Sequence, residues 1–304
     1  MNNKRIWLSS PHMGGNELKY VSDAFKKNWI APVGPHLDVF ESNLSDISNG
    51  RYIAALSSGT SAIHLALILL GIKSDDEVLC SSFTFSASAN PIVYQGARPV
   101  FVDSEYDTWN MCPVYLEEAI NDRISRNGKK PKAIIVVHLY GMPAKMNEII
   151  EISERYNIPI IEDAAEALGS SYYGKPLGTL TIFGIYSFNG NKIITTSSGG
   201  ALLSSDKEMI RRSKFLATQA RDSKPYYEHS TIGYNYRLSN ISAAIGIGQL
   251  EVLKERINRR RKIFEFYKKE LSMIQEITFL DEPDNFYSNR WITTILISKE
   301  SNLN

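Results

Sequence analysis

From residue 50 to 162 short apolar runs alternate with stretches whose apolar residues recur at helical spacing. That is the pattern of successive strand–helix units around a mostly parallel sheet. Strands are predicted at 52–56, 77–80, 99–102, 133–137 and 158–161, with helices between them at 60–70, 86–94, 115–125 and 144–156. Two more strands, 182–187 and 201–204, precede a helix at 207–216. A long helix is predicted from Ile241 to about Leu271, where apolar positions keep helical spacing and proline is absent. Strands at 278–280 and 291–297 then begin a smaller unit. The expected division is a large domain over 1–240, followed by a connecting helix and an incomplete small C-terminal domain over 241–304.

Composition narrows the class. With 304 residues, 43% of them apolar, the chain can bury a sizeable core, which argues against a fibrous or disordered protein. A net charge of +1 from 34 basic and 33 acidic residues, well mixed, gives no electrostatic case for nucleic acid or an anionic membrane. The basic stretch Arg259-Arg260-Arg261-Lys262 is expected to be a solvated helix face. The first ten residues have no apolar segment of signal-peptide length, and the apolar run 63–71 is too short to span a bilayer, so a cytoplasmic protein is expected. Cys80 and Cys112 have no metal-ligand spacing, and no metal site is expected.

Candidate chemistry centres on two residues. Lys192 lies 29 positions after Asp163. An amine able to form a Schiff base, together with a buried carboxylate able to keep a pyridine nitrogen protonated, is the pair that pyridoxal phosphate chemistry requires. Asp163 ends an apolar run that reads as a buried strand, at the edge where open α/β sheets bind ligands. Taken alone, it reads equally well as the cap of a following helix. Most lysines are exposed charges. Around Lys192, however, glycines at 190, 199 and 200 and small hydroxyl residues at 195–198 leave room beside the backbone. Strand 52–56 runs into Ser57-Ser58-Gly59-Thr60 before a helix. Such a turn suits a phosphate, although by itself it reads as an ordinary helix cap. No Walker A or G-x-G-x-x-G pattern occurs.

Several ordered segments carry a resemblance: residues 8–17, Ser82-Phe83-Thr84-Phe85, His138-Leu139-Tyr140-Gly141, the Asp163 and Lys192 segments, and residues 233–240. On these the chain closely resembles the sugar-nucleotide aminotransferases of the DegT/DnrJ/EryC1/StrS group, over essentially its whole length. The nearest likeness is to UDP-N-acetylbacillosamine-type 4-aminotransferases. The resemblance implies an α/β fold of the pyridoxal phosphate-dependent transferase kind (aspartate aminotransferase, fold type I), with a large domain built on a mostly parallel sheet and a small C-terminal α/β domain.

Site roles follow from the resemblance residue by residue. Lys192 would carry the cofactor as a Schiff base, Asp163 would bond its pyridine nitrogen, and Phe85 would stack on its ring. Gly59, Thr60 and Ser187 would hold its phosphate, with Ser58 beside them among the cofactor-binding residues, and Glu166 would lie near the ring hydroxyl. Asn235 would reach the phosphate of the neighbouring subunit's cofactor, implying a homodimer with shared active sites. Asn28, Trp29, Ile30 and Ala31 resemble a segment lining the sugar-nucleotide site; from the residues alone they also read as a helix C-terminus followed by a surface loop with one packed Trp. The implied reaction moves an amino group from L-glutamate to C4 of a UDP-linked 4-keto-6-deoxy-2-acetamido hexose, for surface polysaccharide or glycan biosynthesis. Released Lys192 would act as base and acid, and must be neutral to do so, which desolvation and nearby cationic groups would favour.

Two departures stand out. Ser197-Ser198-Gly199-Gly200 occupies the place of the family's Gly-Glu-Gly-Gly, and relatives continue beyond the point matching Asn304. Three other readings remain. A dehydratase of the same group carries histidine in place of the lysine, and Lys192 argues against it. A non-catalytic cofactor- or sugar-binding paralogue draws its support from the short C-terminus. A scaffolding protein gives no reason for Asp163, Lys192 and the Asn235 segment to coexist.

Overall fold

The computed structural model describes residues 5–299 and 301. Seven strands form one sheet in the order β1 (Tyr52–Leu56), β9 (Gly200–Ser204), β8 (Phe183–Ser187), β5 (Ile160–Asp163), β4 (Ala133–Val137), β2 (Glu77–Ser81) and β3 (Arg98–Val102). β9 is antiparallel to both of its neighbours, and every other pairing is parallel. A parallel sheet is covered on both faces, so its strands read as continuous apolar runs. β4 is accordingly buried at every position.

Successive strand residues point to opposite faces, and the core divides by that alternation. Ile53 and Ala55 of β1 and Ile134 and Val136 of β4 pack with Phe40, Leu116, Met146 and Ile247. Those partners come from α2 (Pro35–Ile47), α5 (Pro113–Asn127), α6 (Met146–Tyr156) and α8 (Asn240–Glu251). Ala54, Leu56, Ala133 and Ile135 pack on the other face with Leu65, Ile92 and Ile210. These belong to α3 (Gly59–Leu69), α4 (Asn90–Tyr94) and α7 (Lys207–Ala217). The result is the predicted α/β sandwich on a mostly parallel sheet.

Several expectations need correction. The predicted strand 158–161 is β5, shifted so that Asp163 is its last residue. The helix expected at 86–94 is a 3-10 turn, Ser86–Ser88, followed by α4, whose start accommodates Pro91. The helix expected over 241–271 is two helices, α8 and α9 (Leu253–Glu270), parted at Val252. There φ −108°, ψ 6° leaves the helical region and the N–H closes a tighter turn onto Gln249 O at 3.3 Å. α8 is also pressed against α1 (Glu17–Lys26): a Cβ at Gly248 would stand 2.8 Å from the Glu17 backbone nitrogen. Of α1 only the C-terminal end was expected, in the alternative reading of residues 28–31, and α2 had no predicted counterpart.

Beyond α9, β10 (Ile277–Phe279) and β12 (Ile295–Ile297) form an antiparallel pair. The strand expected at 291–297 is thus only its last three residues, and Trp291 lies in a loop. β11 (Phe286–Tyr287) turns back to pair with β6 (Ser171–Tyr172), itself paired with β7 (Lys175–Pro176), which bolts the C-terminal part to the large sheet's side of the molecule. The basic stretch on α9 is only partly solvated. Arg260 donates to Ser9 Oγ at 2.9 Å, and Arg261 to Glu282 and the Ser288 carbonyl. Among the described residues no helix is long and apolar enough to cross a membrane, and no group of three or more His, Cys, Asp or Glu is placed to hold a metal ion. Residues 1–4, 300 and 302–304, which fall within the expected domains, lie outside the described residues.

Candidate active site

The parallel strands end on one edge, and the chain segments leaving them converge there. Register fixes the alignment: Gly200 of β9 is opposite both Leu56 of β1 and Ser187 of β8, and Val137 of β4 is opposite Asp163 of β5. Gly200 has to lack a side chain, because a Cβ there would lie 2.4 Å from the Gly59 backbone nitrogen. β9 therefore rests directly on the turn that opens α3. That turn is a reciprocal cap, in which Ser58 Oγ accepts the Ser61 N–H at 3.0 Å and Ser61 Oγ accepts the Ser58 N–H at 3.1 Å. The first-turn N–H groups of Gly59 and Thr60 are left without helical acceptors, at the positive end of the helix dipole.

Asp163 is 5% exposed and accepts two hydrogen bonds, from the Ser88 hydroxyl at 2.6 Å and from the Ala165 N–H at 3.1 Å. A turn, not a helix, follows it, so the helix-cap alternative falls away. Ser88, itself buried, is in turn 2.7 Å from Thr84 Oγ1. Burial, and then the charge of Asp163, push the neighbouring Cys80 thiol well up, which keeps it an inert apolar group.

Lys192 Nζ is 3.2 Å from Glu166 Oε1 and 4.1 Å from the centre of the Trp291 ring. The other Glu166 oxygen accepts the Tyr140 N–H at 2.7 Å, on a backbone that Tyr140 holds at φ 56°. Burial, then the Glu166 charge, raise the Tyr140 hydroxyl above its ordinary value. The groups beside Lys192 are thus a carboxylate and an indole face, not the cationic groups expected. Among the described residues lining the cavity, Lys192 is the only cation.

The cavity has a volume of about 330 Å³. Ser58, Gly59, Thr60, Phe85, Asp163, Glu166, Ser187 and Lys192 all line it. Phe85 is 71% exposed, free to lie on a ring entering the cavity. Sequence reasoning missed Thr84, Ser88, Asn191 and Trp291, which also line the cavity. Only the segment Ser82–Phe85 offered a hint of Thr84. Asn235 and residues 28–31 are not in this lining. Asn235 is exposed and accepts from the Gln219 side chain at 3.1 Å. Asn28 adopts φ 59° to end α1, and the Trp29 and Ala31 carbonyls accept from the Asn240 side chain and backbone, at 3.0 and 2.9 Å.

These residues fit pyridoxal phosphate. The α3 turn offers N–H and hydroxyl donors to a dianion, and Gly200 lets the backbone close round it. A buried carboxylate waits for a cationic ring nitrogen, and an amine stands on the cavity wall.

Residues 11–304 match the DegT/DnrJ/EryC1/StrS aminotransferase family. The chain is 54% identical over 294 residues to "Putative pyridoxal phosphate-dependent aminotransferase EpsN" of Bacillus subtilis (strain 168), covering 97% of this chain and 76% of that protein. It is 39% identical to GDP-perosamine synthase of Escherichia coli O157:H7, covering 96% and 78% of the two chains. It is 37% identical to UDP-4-amino-4,6-dideoxy-N-acetyl-beta-L-altrosamine transaminase of Campylobacter jejuni subsp. jejuni serotype O:23/36 (strain 81-176), covering 97% and 77%. Among solved structures, the aminotransferase TlmJ from Streptoalloteichus hindustanus superposes with a TM-score of 0.90 at 30% identity, covering 97% of this chain and 79% of that one.

Proposed function

The chain belongs to the DegT/DnrJ/EryC1/StrS aminotransferase family and is a pyridoxal phosphate-dependent sugar-nucleotide aminotransferase of fold type I; from that premise we propose that it aminates C4 of a UDP-linked 4-keto-6-deoxy-2-acetamido hexose at the expense of L-glutamate. The observation that carries the transamination chemistry is the meeting of Lys192, Asp163 and the α3 turn in one cavity. The 37% identity to the UDP-sugar transaminase of Campylobacter supports the nucleotide and the acetamido group. The 39% identity to a GDP-perosamine synthase supports a second reading, in which the nucleotide is GDP.

When bound, the cofactor supplies a carbonyl for amine exchange and a cationic ring that takes up the electron pair freed at the donor's Cα. Asp163, oriented by the Ser88 hydroxyl and the Ala165 N–H, would bond the cofactor's ring nitrogen. Ser58, Gly59, Thr60 and Ser187 would bind the phosphate, and Phe85 would cover one face of the ring. Lys192 Nζ removes the donor's Cα proton in the first half-reaction and delivers a proton to the sugar's C4 in the second. Glu166, anchored by the Tyr140 N–H, would lie near the ring hydroxyl and accepts from Lys192 when that amine is free.

The working unit in this reading is a homodimer. Asn235 is absent from the lining of its own chain's cavity and would serve the partner's phosphate, while residues 28–31 would meet the sugar nucleotide. Exposed apolar side chains, including Tyr94, Tyr227 and Ile232, support a second copy as their cover. The product is a 4-amino-4,6-dideoxy sugar nucleotide for polysaccharide or glycan assembly.

The test is proton NMR of the enzyme with pyridoxal phosphate, L-glutamate and either the UDP-linked acetamido keto-sugar or a GDP-linked 4-keto-6-deoxyhexose. A new 4-amino sugar from the UDP compound is expected. Turnover of the GDP compound alone would transfer the assignment to the second reading, and turnover of neither would sink both.

A further inference from the structure

Residues 288–291 are an irregular stretch, yet Ser288, Asn289, Arg290 and Trp291 are 1%, 0%, 6% and 4% exposed. Irregular backbone is normally kept at the surface, because its polar groups are hard to satisfy inside. Here they are satisfied by a dedicated set of bonds. Asn289 donates through its side chain to the Glu166 and Leu168 carbonyls at 2.9 and 3.0 Å, and its own N–H goes to Ser170 Oγ at 2.9 Å. Its Oδ1 accepts the Trp291 N–H at 2.9 Å. From the other side, Arg261 and Glu282 bind the Ser288 carbonyl and N–H. This stretch from the C-terminal part is therefore fastened to the same Glu166 segment whose carboxylate faces Lys192. What the fastening delivers is the Trp291 ring, 4.1 Å from Lys192 Nζ.

We propose that Trp291 is a positioning residue for the reacting amine of Lys192: its ring face, together with the Glu166 carboxylate, confines Nζ to the cavity wall when the amine is free. A lysine stem has four rotatable bonds, so an unconfined amine spends most of its time elsewhere. An indole face attracts the amine's N–H groups and blocks the rotamers that would carry it out of the cavity. The indole N–H serves a separate purpose, donating to the Asn191 carbonyl at 2.7 Å. That carbonyl also accepts from Ser9 Oγ at 2.7 Å, so the backbone beside Lys192 keeps one tie if the indole N–H is lost. The ring face and the N–H can therefore be separated by substitution.

The proposal rests on Lys192 being the reacting amine and deepens that reading. Its test compares Trp291→Phe, which keeps a ring face without the N–H, with Trp291→Met, which fills similar space without a π face. Two quantities are read: the rate at which apoenzyme mixed with pyridoxal phosphate develops the absorbance of covalently held cofactor, and the single-turnover rate with L-glutamate as its concentration is varied. In Trp291→Met both rates should fall about three- to tenfold, with the glutamate concentration for half-maximal rate unchanged, and Trp291→Phe should restore them to within about twofold. Thermal melting of both variants within a few degrees of the wild type would accompany this result. A Met variant as fast as the wild type, or a Phe variant as slow as Met, would overturn the proposal. Neither readout uses the sugar, so such a failure leaves the substrate assignment standing. Wild-type protein that develops no absorbance would overturn the reading of Lys192 and this proposal together.

Discussion

At the scale of single residues, the amine of Lys192 is the sharpest point of attack. Its side chain makes one ion pair and one ring contact on a cavity wall, so Lys192→Ala removes little packing. The variant should melt within a few degrees of the wild type yet lose glutamate-dependent amino-sugar formation by about a thousandfold or more, as read by NMR. Residual turnover near the wild-type rate would disprove the assignment. A second residue tests pH dependence. Burial, reinforced by Arg256 and Arg260, pushes the His12 imidazole from 6.5 down to about 4. Between those values the unfolded chain binds a proton that the folded chain refuses, so His12 costs stability as the pH falls through that window. Melting temperatures from pH 7.5 to 4.5 should fall less steeply in His12→Gln than in the wild type; parallel curves would refute the shift. Lys192 and Asp163 were legible in the sequence as candidates because small residues surround the one and an apolar strand precedes the other, and because the ordered family segments raise both above an exposed lysine and a helix cap. Ser88 and Trp291 were not, because what gives them meaning, Asp163 and Asn191, lies 75 and 100 residues away in sequence.

At the scale of elements, two devices place the site, and each gives a prediction. β9 is the reversed strand of the seven-stranded sheet, and it can reach the α3 turn only because Gly200 has no Cβ. Gly200→Ala must push the strand off the turn, at about 1–3 kcal/mol of stability, and should weaken cofactor binding in a pyridoxal phosphate titration. Unchanged affinity would mean that the turn does not hold the phosphate. β5 is fixed from the opposite side by Glu162, fully buried, which accepts the N–H groups of Gly178, Leu180 and Thr181 at 2.7–2.8 Å and meets His138 Nε2 at 3.2 Å. Glu162→Gln turns two of those acceptor positions into donors facing donors, which should cost about 1–3 kcal/mol in denaturant unfolding. An unaltered midpoint would show that the loop holds without it. The strand–helix alternation was legible because period-2 and helical patterns are local. The break at Val252 was not, since it comes from the fit of α8 against α1, and no periodicity within residues 241–271 reports a neighbour over 200 positions away.

At the scale of the whole molecule, the question is whose cavity Asn235 serves. Within its own chain it bonds to Gln219 and is absent from the lining that holds Lys192, so a monomer gives it no part in cofactor binding. In a dimer with crossed sites, each site combines Lys192 of one chain with Asn235 of the other. Lys192→Ala and Asn235→Ala homodimers then carry one lesion in each site. Co-expressing the two variants places both lesions in one site of the mixed dimer and leaves the other site intact. With random pairing half of the dimers are mixed and half of their sites work, so activity should recover to roughly a quarter of the wild-type value. If each cavity were complete within one chain, the mixture would give no more than the mean of its two parents. The two arrangements therefore differ in kind, and separation of the mixed dimer by affinity tags on the two chains would make the recovery traceable to that species alone.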